Sequence, residues 1–420
     1  MHRPLVEKIT SAVTAGINFV ARQDRDWKIT VARSSLATFF YQMVFPYISV
    51  YTLALGATAT QLGIVNSLGM GLAGLVGPFV GRTIDSYGVK RVYLVGIGLL
   101  ATSYLAYGTA LSWHIAIFAM LAFWLGHTAS GMSCGVICGN TLASRDRATG
   151  MSLCETVAAG ILGIAAPMLG AFLVRQFGDT DVAGIRSVFF VCLTGTLATF
   201  FLIVTKLSNR QWGSRGASNP MAFWRELTTV LKERPRLRRW IVVSSLNFLP
   251  MGMVLPFTQP FAHVVKGADA FILGAMVTGF AVTPLVFGVF AGRLADKIGR
   301  KRVLYLINPL FWISSLLLVY APNGGVLVVA GVLQGFYYVS SVITGAMTFE
   351  LMAPAQMGKW LGILRLFRMC LAACAAYVAG AIWDNIGPQY VFLTVIGLDI
   401  LIKMPLLISM PETLAAKEKG

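Results

Sequence analysis

Charged residues are scarce in this 420-residue sequence. Only 12% of the residues are Asp, Glu, Lys or Arg, whereas 56% are hydrophobic and the mean hydropathy is +0.73. A soluble domain typically carries about 25% charged residues. The shortage of charge excludes water as the main solvent of the folded chain.

Long apolar runs take the place of charge. Each is about twenty residues long, the length that one helix needs to cross the hydrocarbon core of a bilayer. They lie near 34–55, 61–80, 92–111, 114–139, 148–174, 184–206, 239–263, 270–291, 303–320, 326–350, 357–380 and 389–410. Unbroken apolar runs are not the alternating strands of a barrel. The sequence therefore predicts an all-α integral membrane protein with twelve transmembrane helices, numbered here as the first to the twelfth span.

Acidic residues are half as numerous as basic ones, 17 against 34, which gives a formal charge of +17. The basic residues concentrate in the central connector and after the second, fourth and eighth spans, whereas the other connectors carry only Arg175, Arg186 and Lys266. The positive-inside rule then predicts a cell-membrane protein with both termini in the cytosol. Because topology accounts for the charge, we expect the lipid bilayer as a partner and no nucleic acid.

Cysteine is rare as well, and all six cysteines fall inside predicted spans. The pairs Cys134/Cys138 and Cys370/Cys374 lie one helical turn apart, without His or Cys nearby to complete a tetrahedral metal set. We interpret them as small packing residues, and we expect no disulfide, metal or other cofactor.

Two short patterns resemble enzyme motifs. Residues 131–135 fit a nucleophile elbow and residues 69–74 fit a dinucleotide fingerprint. Both motifs require a preceding β-strand, whereas both segments lie within apolar helices. We therefore do not expect an enzyme.

The chain repeats itself at an offset of 211 residues. Eleven residues of the second span and the connector after it recur in and after the eighth span: Leu62, Gly63, Gly77, Phe79, Gly81, Arg82, Asp85, Gly88, Lys90, Arg91 and Val92. The repeat predicts two pseudo-symmetric six-helix bundles, an arrangement known among transporters. The predicted parts are a cytosolic arm at 1–28, bundles at 29–206 and 239–410, a polar linker at 207–238 and a tail at 411–420. Apolar residues at near-helical spacing make the arm either an interfacial helix or a solvated tail.

The connector after the eighth span carries a family motif. Residues 292–302 read Gly-Arg-Leu-Ala-Asp-Lys-Ile-Gly-Arg-Lys-Arg, which resembles the cytoplasmic loop motif of the major facilitator superfamily. The first-half copy has Ser86 and Val89 where the family often has basic residues. The resemblance extends to the span count, linker and repeat, and it implies solute transport by alternating access. It also implies a gating cluster of Gly81, Asp85, Gly88, Lys90, Arg91, Gly292, Asp296, Lys297, Gly299, Arg300, Lys301 and Arg302, with Glu350 as the acid that pairs with the second copy.

The fifth span adds a weaker resemblance. Residues 163–170 resemble the Gly-Pro-x-x-Gly signature of drug-efflux antiporters, with Ala166 where Gly is usual. The resemblance favours efflux. Small residues also let helices approach closely, and that interpretation remains open.

The first, fourth, seventh and tenth spans line the solute cavity in this superfamily. Here they carry an aromatic and amide set that the resemblance makes substrate-binding: Tyr41, Gln42, Trp124, His127, Asn247, Gln334 and Tyr338. Rings give apolar area and their polar tips give oriented hydrogen bonds, so the set suits an amphipathic organic solute. Helix packing or an interfacial belt is the alternative.

Five charged residues lie well away from the ends of predicted spans: Glu155, Arg365, Arg368, Asp399 and Lys403. Each costs about 2.5–3.5 kcal/mol at mid-depth and so needs a partner, water or a function. We predict Glu155, Asp399 or His127 as a proton carrier. Arg365 and Arg368 are predicted to bind the solute, Arg368 through an anionic group. Local pairing of Asp399 with Lys403 and pairing of Arg368 with Asp399 are structural alternatives.

These patterns predict a monomeric secondary transporter that moves a small organic solute, coupled to protons or another ion. Efflux is favoured, and uptake or exchange of an organic anion is the alternative. A channel or a non-transporting receptor on the same fold is a further alternative.

Overall fold

The computed structural model describes residues 18–143, 146, 150, 158–210, 235–351, 357–410 and 412. The helices of the first half are Arg25–Val44, Ile48–Ala54, Ala59–Tyr87, Val89–Thr109, Trp113–Thr141, Ala158–Gln176 and Val182–Lys206. Those of the second half are Pro235–Leu246, Leu249–Met253, Leu255–Pro260, Ala270–Ile298, Arg300–Tyr320, Gly324–Gln334, Phe336–Leu351, Met357–Asn385, Pro388–Leu398 and Met404–Ile408, with π-helical segments at Phe261–Val265 and Asp399–Lys403.

Ten helices in the described part of the chain are long and apolar enough to cross a membrane. They correspond to all the predicted spans except the first and the fifth. The first span is divided into two helices, and the fifth contributes the shorter apolar helix Leu162–Gln176. The prediction of an all-helical, multi-pass membrane protein is confirmed.

Prolines interrupt the first and seventh spans, as the sequence predicts. Pro46 lies in the turn between the two helices of the first span. Pro250 and Pro256 each stand in the first turn of a new helical piece of the seventh span. Proline has no backbone N–H and its ring clashes with the preceding turn, so helices restart at these positions.

The helix that opens the first span begins at Arg25, nine residues before the apolar run that the sequence predicts as that span. The Asp24 carboxylate accepts a hydrogen bond of 2.8 Å from the backbone N–H of Asp26 and so caps the helix. Thr30 and Arg33 on the added turns are buried. Arg33, which the hydropathy pattern left outside the span, therefore lies inside the bundle.

The sequence repeat recurs in the structure at the same offset of 211 residues. Helices Ala59–Tyr87 and Ala270–Ile298 both have 29 residues, and the helices that follow each of them both have 21. Ser103 donates to the carbonyl of Ala119 at 2.7 Å, and Ser314 donates to that of Ala330 at 2.8 Å. The same hydroxyl thus ties neighbouring spans together at equivalent positions of the two halves.

A single glycine joins the second span to the third, and another joins the eighth to the ninth. Gly88 has φ +86° and Gly299 has φ +105°, a backbone region that favours glycine. Two residues later, Lys90 donates to carbonyls at the end of the sixth span and Lys301 to those at the end of the twelfth, at 2.6–3.0 Å. These bonds satisfy carbonyls that a helix end leaves without partners. We call this side of the bundle, which carries the basic motif, the basic end, and the other side the far end.

The two halves contact each other mainly through the second and eleventh spans and through the fifth and eighth spans. Small residues allow the close approach. A Cβ added at Gly63 would lie 2.5 Å from the carbonyl oxygen of Ala376, and one at Gly74 would lie 2.7 Å from Cβ of Met369. A larger residue at either position would push the halves apart.

Contacts at the far end close the space between the halves. The Asp384 carboxylate accepts hydrogen bonds from the backbone N–H groups of Ala59, at 3.3 Å, and Thr60, at 2.7 Å. The Tyr47 hydroxyl donates to the carbonyl of Ala270 at 3.0 Å. Backbone groups at the starts of the second and eighth spans are therefore bonded to the opposite half.

The halves separate toward the basic end. A Cβ at Gly77 would lie 3.7 Å from Arg365, and at Gly81 the nearest atom belongs to Met132 of its own half. On the eighth span, Cβ atoms at Gly288 and Gly292 would have no neighbour within 4 Å in the described part of the chain. The described bundle is thus closed at the far end and open toward the basic end.

Candidate functional site

A cavity of about 70 Å³ lies between the two halves. We call it the central cavity. Its wall comes from the first, second, fourth, seventh and tenth spans and is largely aromatic and methionine-rich: Tyr41, Phe45, Ile48, Ser49, Asn66, Met70, Met120, Phe123, Trp124, Met251, Leu255, Pro256, Gln259 and Tyr338. Apolar area with a few polar tips suits an amphipathic solute. Three of the predicted substrate-binding residues, Tyr41, Trp124 and Tyr338, line this cavity.

Stacked rings form one wall of the central cavity. The ring centroids of Tyr41 and Phe123 are 5.4 Å apart at 23°, and those of Phe123 and His127 are 5.9 Å apart at 15°. Trp124 meets His127 edge-on at 6.0 Å. Such packing holds the rings in defined orientations, so the wall is shaped before a solute arrives.

A second cavity, of about 290 Å³, lies within the first half and extends from this stack toward the basic end. We call it the N-half cavity. Arg33, Ser34, Ala37, Thr38, Tyr41, Leu100, Tyr104, Phe123, His127, Ser130, Gly131, Cys134, Thr196 and Thr199 line it. Tyr41 and Phe123 also line the central cavity, so the two cavities meet at this pair of rings.

Arg365 and Arg368 lie on the same face of the eleventh span, but they bond to different halves. Arg365 donates to the hydroxyl of Thr128 in the fourth span at 3.0 Å. The Arg368 guanidinium donates to the Ser244 hydroxyl, with Nε at 2.8 Å, and stacks over Phe248 at 5.0 Å. Both partners are neutral, so neither bond compensates the positive charge of its guanidinium.

Asp399 pairs with Lys403, one helical turn away, at 2.5 Å, and accepts a hydrogen bond of 3.1 Å from the indole of Trp312. Both charged side chains are buried. The local pairing that their spacing predicts is therefore present, whereas the alternative pairing of Asp399 with Arg368 is wrong. Asp399 lines neither cavity.

Three other predicted binding residues lie beside the cavities. Gln334 donates to the Thr258 hydroxyl at 2.9 Å and so ties the tenth span to the seventh. Asn247 accepts a hydrogen bond of 3.5 Å from Ser340. Gln42 lies against Gly163, where the first and fifth spans contact each other. None of the three lines the two cavities, and Glu155, the predicted proton carrier, lies outside the described residues.

At the basic end, Arg300 is the centre of the second-half motif. It lies 2.8 Å from Glu350 on the tenth span and 3.5 Å from Asp296, one turn before it. Side chains of Arg300 and Glu350 are 15% and 17% exposed, whereas Asp296 is 68% exposed. The Glu412 carboxylate accepts from the backbone N–H groups of Arg300 and Lys301 at 3.0 and 3.2 Å.

The other basic residues of this copy, Lys297 and Arg302, are exposed, and Gly292 faces open space in the described bundle. In the first-half copy, Asp85 and Arg91 are exposed as well. Residue 139, which is 211 residues before Glu350, is glycine. The first half therefore has glycine at the position equivalent to Glu350, the acid that pairs with Arg300 in the second half.

The small residues of the fifth span contact the eighth span. A Cβ at Gly274 would lie 2.8 Å from the carbonyl oxygen of Pro167, and Thr278 donates to the carbonyl of Ile164 at 3.1 Å. Ala166 is fully buried. This segment thus forms part of the contact between the halves.

Several cavity residues were not predicted from the sequence. Arg33 was missed because it precedes the first apolar run by one residue. Met70, Met120 and Met251 carry no motif, and the hydroxyls of the N-half cavity belong to residue types common in any span. No group of three or more His, Cys, Asp or Glu that could hold a metal ion occurs in the described part of the chain.

A family model described as Major Facilitator Superfamily matches residues 34–276 and 241–417. The multidrug resistance protein MdtG of Dickeya zeae (strain Ech586) is 27% identical over 301 residues, which cover 66% of this chain and 69% of MdtG. The multi-drug resistance efflux pump PmrA homolog of Lactococcus lactis subsp. lactis (strain IL1403) is 22% identical over 296 residues, covering 67% and 70%.

Solved structures share the fold at lower identity. The nucleoside transporter NupG superposes with a TM-score of 0.75 and 14% identity, covering 92% of this chain and all of NupG (100%). The human organic anion transporter MFSD10 (TETRAN) gives a TM-score of 0.63 and 18% identity, covering 91% of this chain and 99% of MFSD10. At these identities the likeness shows the fold alone.

Proposed function

Because this chain belongs to the major facilitator superfamily and is a multi-pass membrane transporter, we propose that it exports a small amphipathic organic solute by alternating access. A proton gradient drives the export. The names of two relatives, a multidrug resistance protein and a multi-drug efflux pump, support the outward direction.

The central cavity carries the proposal. It lies between the halves, so a change in their relative tilt would expose it first on one side of the membrane and then on the other. Its aromatic and methionine wall gives an adaptable apolar surface, and Asn66, Gln259 and Tyr338 supply a few polar atoms. Such a wall suits organic solutes that combine a ring with a polar group.

The proposal assigns the basic end to the cytosol, following the positive-inside pattern. The described conformation, closed at the far end by Asp384 and Tyr47, is then the state that loads from the cytosol. In the opposite state the contacts between Gly63 and Ala376 would open and the basic end would close. The predicted bundles at 29–206 and 239–410 are the two moving bodies.

We assign the motif at the basic end to gating. Arg300 holds Glu350, while Asp296 is exposed and has only a long contact with Arg300. Asp296 and Asp85 are therefore available to bond the opposite half when the basic end closes. The glycines and cations of the motif, including Gly88, Lys90 and Lys301, fix the helix ends that bring these acids into place.

His127 and Glu155 are the proposed proton carriers. The His127 imidazole lines the N-half cavity and stacks on Phe123, so a proton on it would act directly on a bound solute. Glu155 is a carboxylate within the predicted fifth span, where ionisation is costly. Asp399 is a weaker candidate because Lys403 already neutralises it.

A library screen followed by flux measurements tests the proposed function. Ligands found by thermal shift of the purified protein bind its native state, because such binding raises apparent stability. In proteoliposomes, flux of such a ligand should saturate and should respond to an imposed pH gradient. Flux that does not saturate would favour a channel. If His127→Ala and Glu155→Gln both keep full proton coupling, neither residue carries the proton.

Exchange or uptake of an organic anion is the second candidate, favoured by the uncompensated guanidinium groups of Arg365 and Arg368. In an exchanger, flux of an anion in one direction requires anion on the opposite side of the membrane, whereas a proton-driven exporter requires a pH gradient. Flux that requires the same anion inside the vesicle, and that ignores the pH gradient, would select this candidate.

A further inference from the structure

Arg33 is a buried cation without an acidic partner among the described residues. It lies eight residues into the first helix, which places its Cα about 12 Å from that of Arg25 along the axis. Only 5% of the residue is exposed, so its side chain does not extend to water at the basic end. Its guanidinium stacks over the Tyr93 ring at 5.0 Å, while Nε and one terminal nitrogen have no hydrogen-bond partner in the described part of the chain.

An arrangement of this kind is unfavourable unless an anion completes it. Burying an ionised group is costly when its hydrogen-bonding atoms have no partner, and cation–π contact offsets only part of that cost. No acidic residue is among the described residues that line the N-half cavity. The compensating charge can therefore come from a molecule in the cavity.

The surroundings of Arg33 can receive such a molecule. Hydroxyl groups of Thr38 and Tyr104 line the same cavity, and they can donate to further oxygens of an anion. The volume of about 290 Å³ is large enough for an organic group and several waters. At its inner end the cavity meets the Tyr41 and Phe123 rings, which it shares with the central cavity.

We propose that the N-half cavity binds the carboxylate of an aromatic or similarly apolar organic monoanion, with the Arg33 guanidinium as its charged anchor. The apolar part of the ligand lies against Tyr41 and Phe123. A guanidinium can donate two parallel hydrogen bonds to a carboxylate, and two nitrogens of Arg33 are buried without a hydrogen-bond partner among the described residues. This assignment rests on the proposed transport function, because it takes the ligand to be the transported solute.

Matched naphthalene probes test the charge preference without any transport. Binding of 2-naphthoate and of its uncharged amide, 2-naphthamide, is measured by calorimetry on the purified full-length protein in detergent. The wild type should prefer the carboxylate by roughly tenfold or more, the value of one hydrogen bond to a charged group. Arg33→Met should abolish this preference, and Arg33→Lys should retain part of it because lysine keeps the charge without the planar fork. Arg175→Met, which removes a cation stacked on Phe271 at the far end, is the control and should leave the preference unchanged.

A second pair of variants keeps Arg33 and changes the cavity. A Cβ at Gly131, which lines the N-half cavity, and one at Gly135, which does not, would both face open space in the described bundle. Gly131→Leu should therefore weaken 2-naphthoate binding by about tenfold or more, because its side chain would occupy part of the cavity, whereas Gly135→Leu should leave binding unchanged. This comparison holds even if Arg33→Met fails to fold.

Three results would overturn the assignment. These are equal wild-type affinity for the acid and the amide, a preference that survives in Arg33→Met, and a preference that disappears only in Arg368→Met. Saturable binding with the expected preference but no flux in proteoliposomes would instead overturn the proposed transport of this ligand class and leave the binding site standing.

Discussion

Two substitutions at the basic end should separate stability from transport. Arg300 bonds to Glu350 at 2.8 Å, and both side chains are largely buried, whereas Asp296 is 3.5 Å from Arg300 and mostly exposed. We expect Glu350→Gln to lower the stability of the protein. We expect Asp296→Asn to lower transport while insertion and abundance stay nearly intact, because its carboxylate is reserved for the closed basic end.

The expected difference in stability between Glu350→Gln and Asp296→Asn follows from the burial of the two carboxylates. A hydrogen bond to a charged group contributes about 1.5–3 kcal/mol, and removing the charge of Glu350 takes away the nearer of the two carboxylates that pair with the Arg300 side chain. The contact is made by one oxygen, since the other oxygen of Glu350 has no partner, so a loss near 1.5 kcal/mol is expected. An exposed ion pair contributes about 0–1 kcal/mol, so the loss of unfolding free energy in Asp296→Asn should lie within that range.

Fluorescence-monitored thermal unfolding in one detergent compares the stability of the wild type with that of Glu350→Gln and Asp296→Asn. Flux of each protein is normalised to the amount incorporated in the liposomes. Lys206→Gln, which changes an exposed residue at the basic end outside the motif, is the control and should alter neither quantity strongly. Wild-type flux in a well-expressed Asp296→Asn protein would refute the gating assignment. Equal loss of stability in Asp296→Asn and Glu350→Gln would refute the ranking by burial.

Three further predictions address the spans. Asp399→Asn should cost about 3–5 kcal/mol because it strands a buried Lys403, and adding Lys403→Met should recover much of this loss in thermal unfolding; a double variant less stable than the single one would contradict the pair. Arg368→Lys should weaken binding of an anionic ligand, measured by titration, more than it lowers the unfolding midpoint, because lysine lacks the planar fork. Binding that is unchanged by Arg368→Lys would make the arginine structural. Gly63→Ala should destabilise the described state by about 1–3 kcal/mol, because the added Cβ would meet the opposite backbone at 2.5 Å. The far end should then open more often, so a single cysteine introduced in the central cavity should be labelled faster by a reagent added from that side. Gly98→Ala, whose Cβ would face open space, is its control, and equal labelling in the two variants would exclude a closed contact at Gly63.

The fold could be predicted largely from the sequence because hydropathy and repetition act locally. Apolar runs gave the spans, and the offset of 211 residues gave the equivalence of helices that the structure repeats to the residue. The spacing of Asp399 and Lys403 predicted their ion pair, since residues four apart share a helix face. Proline positions predicted the interruptions of the first and seventh spans.

The candidate site was less predictable because its contacts join distant spans. Ser244, the partner of Arg368, lies on another helix, and no spacing rule relates the two. Gln334 has the polarity of a binding residue, yet its amide donates a hydrogen bond to the Thr258 hydroxyl. Arg33 was excluded by a hydropathy boundary, although the capped helix continues through it. Hydropathy reports where a span is apolar and does not report where the helix begins.

The charges buried in the spans point to an anionic solute once Arg33 is included. Asp399 and Lys403 neutralise each other. Arg33, Arg365 and Arg368 have no acidic partner in the described part of the chain, and the bonds of the last two are to neutral hydroxyls. Even an ionised Glu155 nearby would balance only one of these three cations. A transported anion would supply negative charge here. The membrane potential of a cell with a negative interior would also favour export of that anion, by about 2.3 kcal/mol per elementary charge per 100 mV. Electrical driving force and buried charge thus both favour export of an anion over export of a cation.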